Sequence, residues 1–235
     1  KFVPDEAVTI CMDDCATLRV KMIDCVGYVV SEALGTIENG QPRMVHTPWH
    51  TEAVPFEEAA EYGTRKVITE HSTIGMLVTT DGTGGEFSRD NYAGVEERIA
   101  EELTALGKPF AVILNSATPE SDETVKLALR LEEKYKAPVA LVNCLELNAE
   151  DIWNILGMLI EEFPAKETDI TLPGWTSVLP DEHILKKGIR DAVVSASADM
   201  KRMRDIKGDF AKALTLGIEK AVSACGSYDD CASVT

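Results

Sequence analysis

Phe110-Ala111-Val112-Ile113-Leu114 is followed at once by Asn115-Ser116-Ala117-Thr118. A short run that is apolar throughout, rather than alternating, is the pattern of a strand covered on both faces in a parallel sheet. The polar residues come at its carboxyl end, where open α/β sheets bind ligands. Working outward, Gly75–Thr80 and Val139–Val142 repeat the apolar pattern, and helical periodicity fills the gaps. Tyr92–Leu106 places Val95, Ile99, Leu103 and Leu106 on one stripe and meets Gly107 as its cap, and Glu120–Tyr135 is the next helix. Ala149–Phe163 follows, stopped by Pro164, while upstream Pro55 opens a helix over Phe56–Thr69. Strand and helix in alternation predict a largely parallel sheet with helices on its faces, an α/β fold of three αβα layers.

The two ends depart from this rhythm. Ala7–Cys11 and Thr17–Ile23 read as strands joined by Met12-Asp13-Asp14-Cys15, a link short enough to favour an antiparallel hairpin. Beyond Pro164 come a short strand candidate, Asp169–Leu172, then Pro173-Gly174 and a long helical stretch over 181–204. The domain boundary is therefore expected at residue 165, with 166–235 the beginning of a second, α-rich or α+β domain whose tail from Gly208 is rich in Ala, Gly and Ser.

The 235 residues have room for one full domain and part of another, and 45% hydrophobic with 27% charged residues fits a globular chain. The formal charge of -17 repels nucleic acid, which is not expected as a partner. The one basic cluster, Lys201, Arg202, Arg204 and Lys207, reads as a solvated helix face. Cys11, Cys15, Cys25, Cys144, Cys225 and Cys231 include no CxxC pair and none lies near a histidine at metal-ligand spacing, which points to reduced thiols in the cytosol. No window approaches the roughly 18 apolar residues that a membrane helix needs. The chain opens on Lys1 instead of Met, from which a missing N-terminal part is expected.

Two strand ends carry nucleotide chemistry. Arg19-Val20-Lys21-Met22-Ile23 runs into Asp24-Cys25-Val26-Gly27, a DxxG. In nucleotide switches the Asp of this motif holds Mg²⁺ through water and the Gly offers its backbone N–H to the terminal phosphate. Asn115-Ser116-Ala117-Thr118 stands where a guanine-binding protein carries NKxD, with the Asn kept and the Lys and Asp replaced. A hydroxyl at Thr118 cannot replace the bidentate carboxylate acceptor, so guanine selectivity is expected to be poor. Both motifs also make ordinary strand-end turns, and Asp81-Gly82-Thr83, which follows Thr80 on the same rim of the sheet as the expected nucleotide, reads as a turn ahead of a site loop. Tyr28 occupies the place where many GTPases have a Gln that orients water, leaving His46, His50 and His71 as nearby candidates for that task. The stretch Val29–Val54 is far longer than ordinary loops of about 4 to 6 residues, and its Arg43 and Trp49 suit either a nucleotide-sensing contact surface or a local cluster.

Several words in the chain go beyond any general pattern. Glu38-Asn39-Gly40-Gln41-Pro42-Arg43-Met44, His46-Thr47-Pro48-Trp49, Glu58-Ala59-Ala60-Glu61-Tyr62-Gly63-Thr64-Arg65-Lys66-Val67-Ile68, Glu70-His71-Ser72-Thr73-Ile74-Gly75 and Thr79-Thr80-Asp81-Gly82-Thr83 resemble the stage IV sporulation protein A family over most of residues 1–175. The resemblance implies a P-loop NTPase of translation-factor-like GTPase type that hydrolyses ATP with Mg²⁺. It implies Asp24 and Gly27 as the Mg²⁺ and γ-phosphate positions, Asn115 and Thr118 as the base-side loop, and Asn143 and Cys144 as the last base-contacting loop. It also implies a role in which hydrolysis drives the protein to polymerise around the forespore, on the mother-cell cytoplasmic side, recruiting spore coat proteins. A small amphipathic peptide would anchor it to the forespore membrane through a C-terminal region outside these residues. The family's phosphate loop would precede Lys1, and no GxxxxGK[ST] occurs in the chain, so the sheet is expected to be incomplete and the piece inactive by itself. A P-loop scaffold without catalysis and an ordinary GTPase are the alternatives.

Overall fold

A computed structural model describes residues 3–12, 16–30, 33, 35–83, 85, 87–172, 174–198 and 200–224. The link residues Asp13, Asp14 and Cys15 and the tail 225–235, with Cys225 and Cys231, lie outside the described residues. The chain divides into two compact units, Lys1–Ile155 and Leu156–Thr235.

The first unit opens with the expected hairpin, β1 (Val8–Met12) antiparallel to β2 (Ala16–Val20). The second strand was expected to reach Ile23. It stops at Val20 because β1 starts opposite it at Val8 and offers no partner for Lys21–Ile23. The DxxG thus lies in an irregular stretch, 21–30, rather than at a strand end. The insertion is more ordered than its loop-like sequence suggests. Strands β3 (Ile37–Glu38) and β4 (Gln41–Pro42) form a tight hairpin, whose Asn39-Gly40 corner has φ of 51° and 76°, the positive values that a two-residue turn of this twist requires. Strands β5 (Met44–Val45) and β6 (Val54–Pro55) then close a second ladder that delivers the chain to helix α1 (Phe56–Lys66). Glu57 and Glu58 in the first turn and Arg65 and Lys66 in the last complement the helix dipole, and the helix continues in one wide turn, Val67–His71.

The alternating part follows the sequence closely: β7 (Gly75–Thr80), α2 (Arg89–Ala105), β8 (Phe110–Asn115), α3 (Asp122–Tyr135), β9 (Val139–Val142) and α4 (Ala149–Glu161). Gly107, at φ 63°, turns the chain after α2, and the Ser121 hydroxyl caps α3 by accepting from Thr124 N–H. Strands β7, β8 and β9 form a parallel sheet in that order. Leu77, Val112, Leu114 and Val139 share one of its faces and pack with Ala100 and Leu103 of α2 and Ala128 and Leu131 of α3. On the opposite face Ala111, Ile113 and Ala140 are buried, but Met76 and Val78 of β7 are 40% and 61% exposed. The hairpin β1–β2 is a ladder of its own, so the strands of this unit do not form one continuous sheet.

The sequence stripe on α2 is met at Leu103, which is buried, and at Ile99, which packs against the core, whereas Leu106 is exposed and the other buried positions are Glu96 and Ala100. Glu96 is tolerated at 2% exposure because Arg89 grips its carboxylate with two bonds of 2.6 and 2.7 Å and the Tyr135 hydroxyl donates a third at 2.6 Å. Arg89 also donates to Thr79 Oγ1 at 3.0 Å, which ties the pair to β7.

In the second unit Asp169–Leu172 forms no strand, and the long helical stretch divides into α5 (Ile184–Ser197) and the single turn α6 (Met203–Asp205). The Ala- and Gly-rich tail holds a further helix, α7 (Ala211–Ala224), packed along α5. Small residues are the means of approach: a Cβ added at Gly188 would stand 2.5 Å from Ala221 Cβ, and one at Gly217 would stand 2.4 Å from Ala192 Cβ. Leu179, Leu185, Ile189 and Ala221 form the local core. The basic cluster is not merely a solvated face, since Arg202 and Arg204 close on the two carboxylate oxygens of buried Glu162 at 2.5 and 2.9 Å. Among the described residues no helix is long and apolar enough to cross a membrane.

Candidate functional site

Thr80, Asn115 and Val142 align across the three parallel strands, so the loops after them leave from one carboxyl rim. The rim is bound together by hydrogen bonds that cross from loop to loop. Asp81 N–H donates to Asn115 O at 3.3 Å, and Ser116 N–H donates to Val142 O at 2.9 Å, each prolonging a ladder by one step. Asn115 Oδ1 accepts from Cys144 N–H at 2.9 Å. The Asn143 side chain accepts from Leu145 N–H at 3.1 Å and shapes the last loop. Asn148 then caps α4 by accepting from the N–H groups of Glu150 and Asp151. Asn115, Asn143 and Cys144 are therefore held together, and Thr118 lies exposed in the same loop system.

The loop after β7, which the sequence presents as a turn, ties the Asn115–Thr118 loop to the start of α3. Asp81 Oδ1 accepts from Thr83 N–H at 2.9 Å and from the Thr83 hydroxyl at 2.5 Å, while Oδ2 accepts from the Thr124 hydroxyl at 3.1 Å. The Thr83 oxygen in turn accepts from Ala117 N–H at 2.9 Å. Ser116, 0% exposed, accepts from Thr118 N–H at 3.0 Å and lies 3.5 Å from the Thr83 hydroxyl. Burial alone would raise the Asp81 carboxyl, but donors from Ser116, Thr83 and Thr124 outweigh it and hold the group below its ordinary value. The sequence marks the local turns Asp81–Thr83 and Ser116–Thr118, but their joining depends on partners from different segments, Ala117 with Thr83 and Thr124 with Asp81.

The DxxG stands on separate supports. Asp24 is exposed, and its carboxylate makes no hydrogen bond or ion pair with the described residues. A single free carboxylate suits Mg²⁺, which keeps several waters and takes one or two protein carboxylates beside its phosphates. Among the described residues no group of three or more His, Cys, Asp and Glu could hold a metal by itself. Gly27 has φ 79°, and a Cβ there would meet nothing within 4 Å, so the position asks for glycine through its backbone angle and not for want of space.

Tyr28, next in the chain, is 7% exposed and anchored, its hydroxyl donating to Glu102 and its ring lying 4.5 Å under the Arg98 guanidinium. Arg98 forks onto Glu61 of α1 at 2.5 and 3.0 Å, and Arg65 reaches Glu102 at 3.4 Å. Burial and the neighbouring Glu102 carboxylate push the Tyr28 phenol well above its usual range. This phenol is a structural donor rather than a water-orienting amide.

Beside Cys25 and Val26 lies an apolar cleft of about 700 Å³, walled by Ala59, Gly63 and Val67 of the α1 region and by Trp49, with His46 and His71 on its lining. None of the base-side residues lines it. Trp49 packs on Tyr62 at 5.8 Å between centroids, and Arg43 lies 5.6 Å from the Phe56 ring, so both insertion residues rest on α1. His50 bonds Thr47 Oγ1 at 2.8 Å and meets the Tyr62 ring edge-on. Cys11, Cys25 and Cys144 are free thiols.

Comparison with known proteins gives one family. The model of the stage IV sporulation protein A ATPase domain matches residues 1–164. Stage IV sporulation protein A of Bacillus anthracis is 44% identical over 206 residues, that of Bacillus subtilis (strain 168) 42% over 206, and that of Clostridioides difficile (strain 630) 46% over 208. Each alignment covers 88% of this chain and 42% of the relative, so the chain spans less than half the length of the relatives it matches. No solved structure matches the chain.

Proposed function

The chain belongs to the stage IV sporulation protein A family, and from that membership we propose that residues 1–165 carry the base-side and Mg²⁺-side parts of an ATPase site whose phosphate loop comes from a preceding segment. The fold would be a three-layer αβα P-loop domain of translation-factor-like type. The β1–β2 hairpin, which does not join the β7–β8–β9 sheet, and the open β7 face at Met76 and Val78 support a sheet completed by a further strand and helix. Residues 166–235 would begin the next domain.

The observation that carries the nucleotide reading is the engagement of Asn115. With Oδ1 taken by Cys144 N–H, its amide nitrogen is left to donate to a purine N7, an acceptor that adenine and guanine share. Thr118 presents a hydroxyl where a guanine site needs a carboxylate, so adenine is not disfavoured. Asp24 would hold the water shell of Mg²⁺ and Gly27 N–H would meet the terminal phosphate; the bound Mg²⁺ would supply charge neutralisation at the phosphates. Asn143 and Cys144 would shape the far side of the base pocket.

Hydrolysis would drive self-assembly into a layer on the forespore's outer surface, in the mother-cell cytoplasm, to which spore coat proteins bind. A small amphipathic peptide would link the layer to the membrane through a region beyond these residues. The net charge of -17 supports a role without nucleic acid.

Steady-state hydrolysis by the chain extended to the length of its relatives tests this. ATP is expected to be preferred over GTP, and Asp24→Ala is expected to lower turnover by about a hundredfold, the order seen when a major electrostatic contributor is removed. A tenfold or greater preference for GTP, or full Mg²⁺-dependent turnover in the Asp24 variant, would overturn the assignment.

A further inference from the structure

We propose that Asp81 is a positioning residue for the nucleobase site, acting through Thr83 to hold the Asn115–Thr118 loop in its receiving conformation and so governing nucleotide affinity rather than turnover. The inference rests on the base-side reading above and adds a residue to it.

The argument is one of hydrogen-bond direction. An ionised carboxylate accepts and never donates. The Thr83 hydroxyl, 2.5 Å from Asp81 Oδ1, must therefore spend its proton on the carboxylate. Its oxygen is left to accept, and Ala117 N–H occupies it at 2.9 Å. On the other oxygen the Thr124 hydroxyl likewise spends its proton on Asp81, so its own lone pairs face the Ser121 hydroxyl 2.7 Å away. Ser121 is the N-cap of α3 and accepts from Thr124 N–H. One carboxylate thus orients two hydroxyls, one leading to the loop that carries Asn115 and Thr118, the other to the start of the helix that this loop enters.

Three loops converge on this point. Asp81 N–H bonds Asn115 O, and Asn115 Oδ1 holds Cys144 N–H, so a displacement at Asp81 reaches both base-side segments. The Gly82 backbone is part of the device, since at φ 92° a Cβ there would stand 2.9 Å from Arg89 N. Any other residue would push the turn off the start of α2. None of these groups need touch a nucleotide, and this separates positioning from catalysis.

Thr83→Val tests the link with little risk to folding, because Thr83 is exposed and valine keeps its shape while deleting the hydroxyl. On the chain itself, amide hydrogen exchange at Ala117 and Thr118 is expected to accelerate. In the chain extended to the length of its relatives, KM for ATP is expected to rise by about tenfold or more, the effect of leaving a charge-assisted link unmade. The kcat should stay within about twofold, since uniform binding is lost and no transition-state contact is. Thr83→Ser, which restores the hydroxyl, should return both readouts to the parent's values. Asp81→Asn, with one accepting oxygen instead of two, should reproduce the KM effect.

Faster exchange with an unchanged KM would overturn the positioning role and leave a purely structural turn. A fall in kcat equal to the rise in KM, or a serine variant no better than valine, would overturn it as well. If the parent itself binds no ATP, the base-side reading fails with it, and that failure is recognised in the parent before any variant is made.

Discussion

Glu96→Ala should be among the most damaging single changes in the first unit. The carboxylate is 2% exposed and accepts two bonds from Arg89 and one from Tyr135. Truncating it leaves a guanidinium only 19% exposed at its side chain, without its counter-ion, and strands a half-buried phenol. Breaking one partner of a buried ion pair costs about 3–5 kcal/mol. For a unit of this size each kcal/mol lowers the melting temperature by roughly 2–4 °C, so a fall of about 6–20 °C is expected. Replacing both partners, Arg89→Met with Glu96→Leu, should recover much of the loss, because no charge is then left buried.

The pH dependence follows from the same contacts. Burial pushes the Glu96 carboxyl up, but the bonds from Arg89, Thr79 and Tyr135 outweigh it and hold the folded value below the ordinary one. A depressed acid adds stability above its unfolded pKa of about 4.3 and loses it as pH falls through the folded value. The gap between parent and Glu96→Ala should therefore be full at neutral pH and narrow below about pH 4. Thermal and urea unfolding of the two proteins from pH 3 to 7 measure it. A cost under about 1 kcal/mol at neutral pH, or a gap that widens in acid, would refute the reasoning.

Gly188→Ala forces a methyl into Ala221, at 2.5 Å in the present geometry, and overpacking of this kind should cost the second unit about 1–3 kcal/mol, read as an earlier loss of helical circular dichroism. Tyr28→Phe keeps the ring beneath Arg98 but removes the bond to Glu102, so stability should fall by roughly 1–2 kcal/mol, whereas Tyr28→Ala, which also empties the buried site, should cost at least twice as much. Since the insertion begins one residue past Tyr28 and rests on α1 through Trp49, Trp49 fluorescence in the extended chain is expected to differ between ATP and ADP, and Trp49→Ala to weaken polymer sedimentation; unchanged fluorescence with normal polymer would remove the insertion from the switch.

Adding Thr118→Asp to the extended protein should move preference toward GTP, but converting Ser116 to lysine alongside it is not a workable route to a guanine site. At 0% exposure, bonded to Thr118 N–H and beside Thr83, Ser116 has no room for a long ammonium. The sequence shows only that Ser116 stands where NKxD carries its Lys.

What the sequence determined by itself is the series of local elements. Gly75–Thr80 and Val139–Val142 have the bounds read from their apolar runs, and α3 starts and stops within about two residues of its reading, because side-chain period, glycine turns and capping hydroxyls act on neighbouring residues. The words that resemble one family were likewise legible, since identity is carried by residues and not by contacts. Tertiary structure alone decided which polar groups are buried: Glu96 reads as one more acidic residue on a helix, and its burial depends on Arg89 two turns earlier being joined by Thr79 of β7 and Tyr135 of α3. It decided that Asp81 is more than a turn, through Ala117 and Thr124, and that an Ala-rich tail is a helix, through the mutual approach of Gly188, Ala192, Gly217 and Ala221. It also ended β2 at Val20, because strand length is set by the partner across the ladder. A chain encodes its own periodicity residue by residue, but a buried charge, a close helix pair or a paired strand exists only when two distant segments meet, and their meeting is a property of the whole packed molecule.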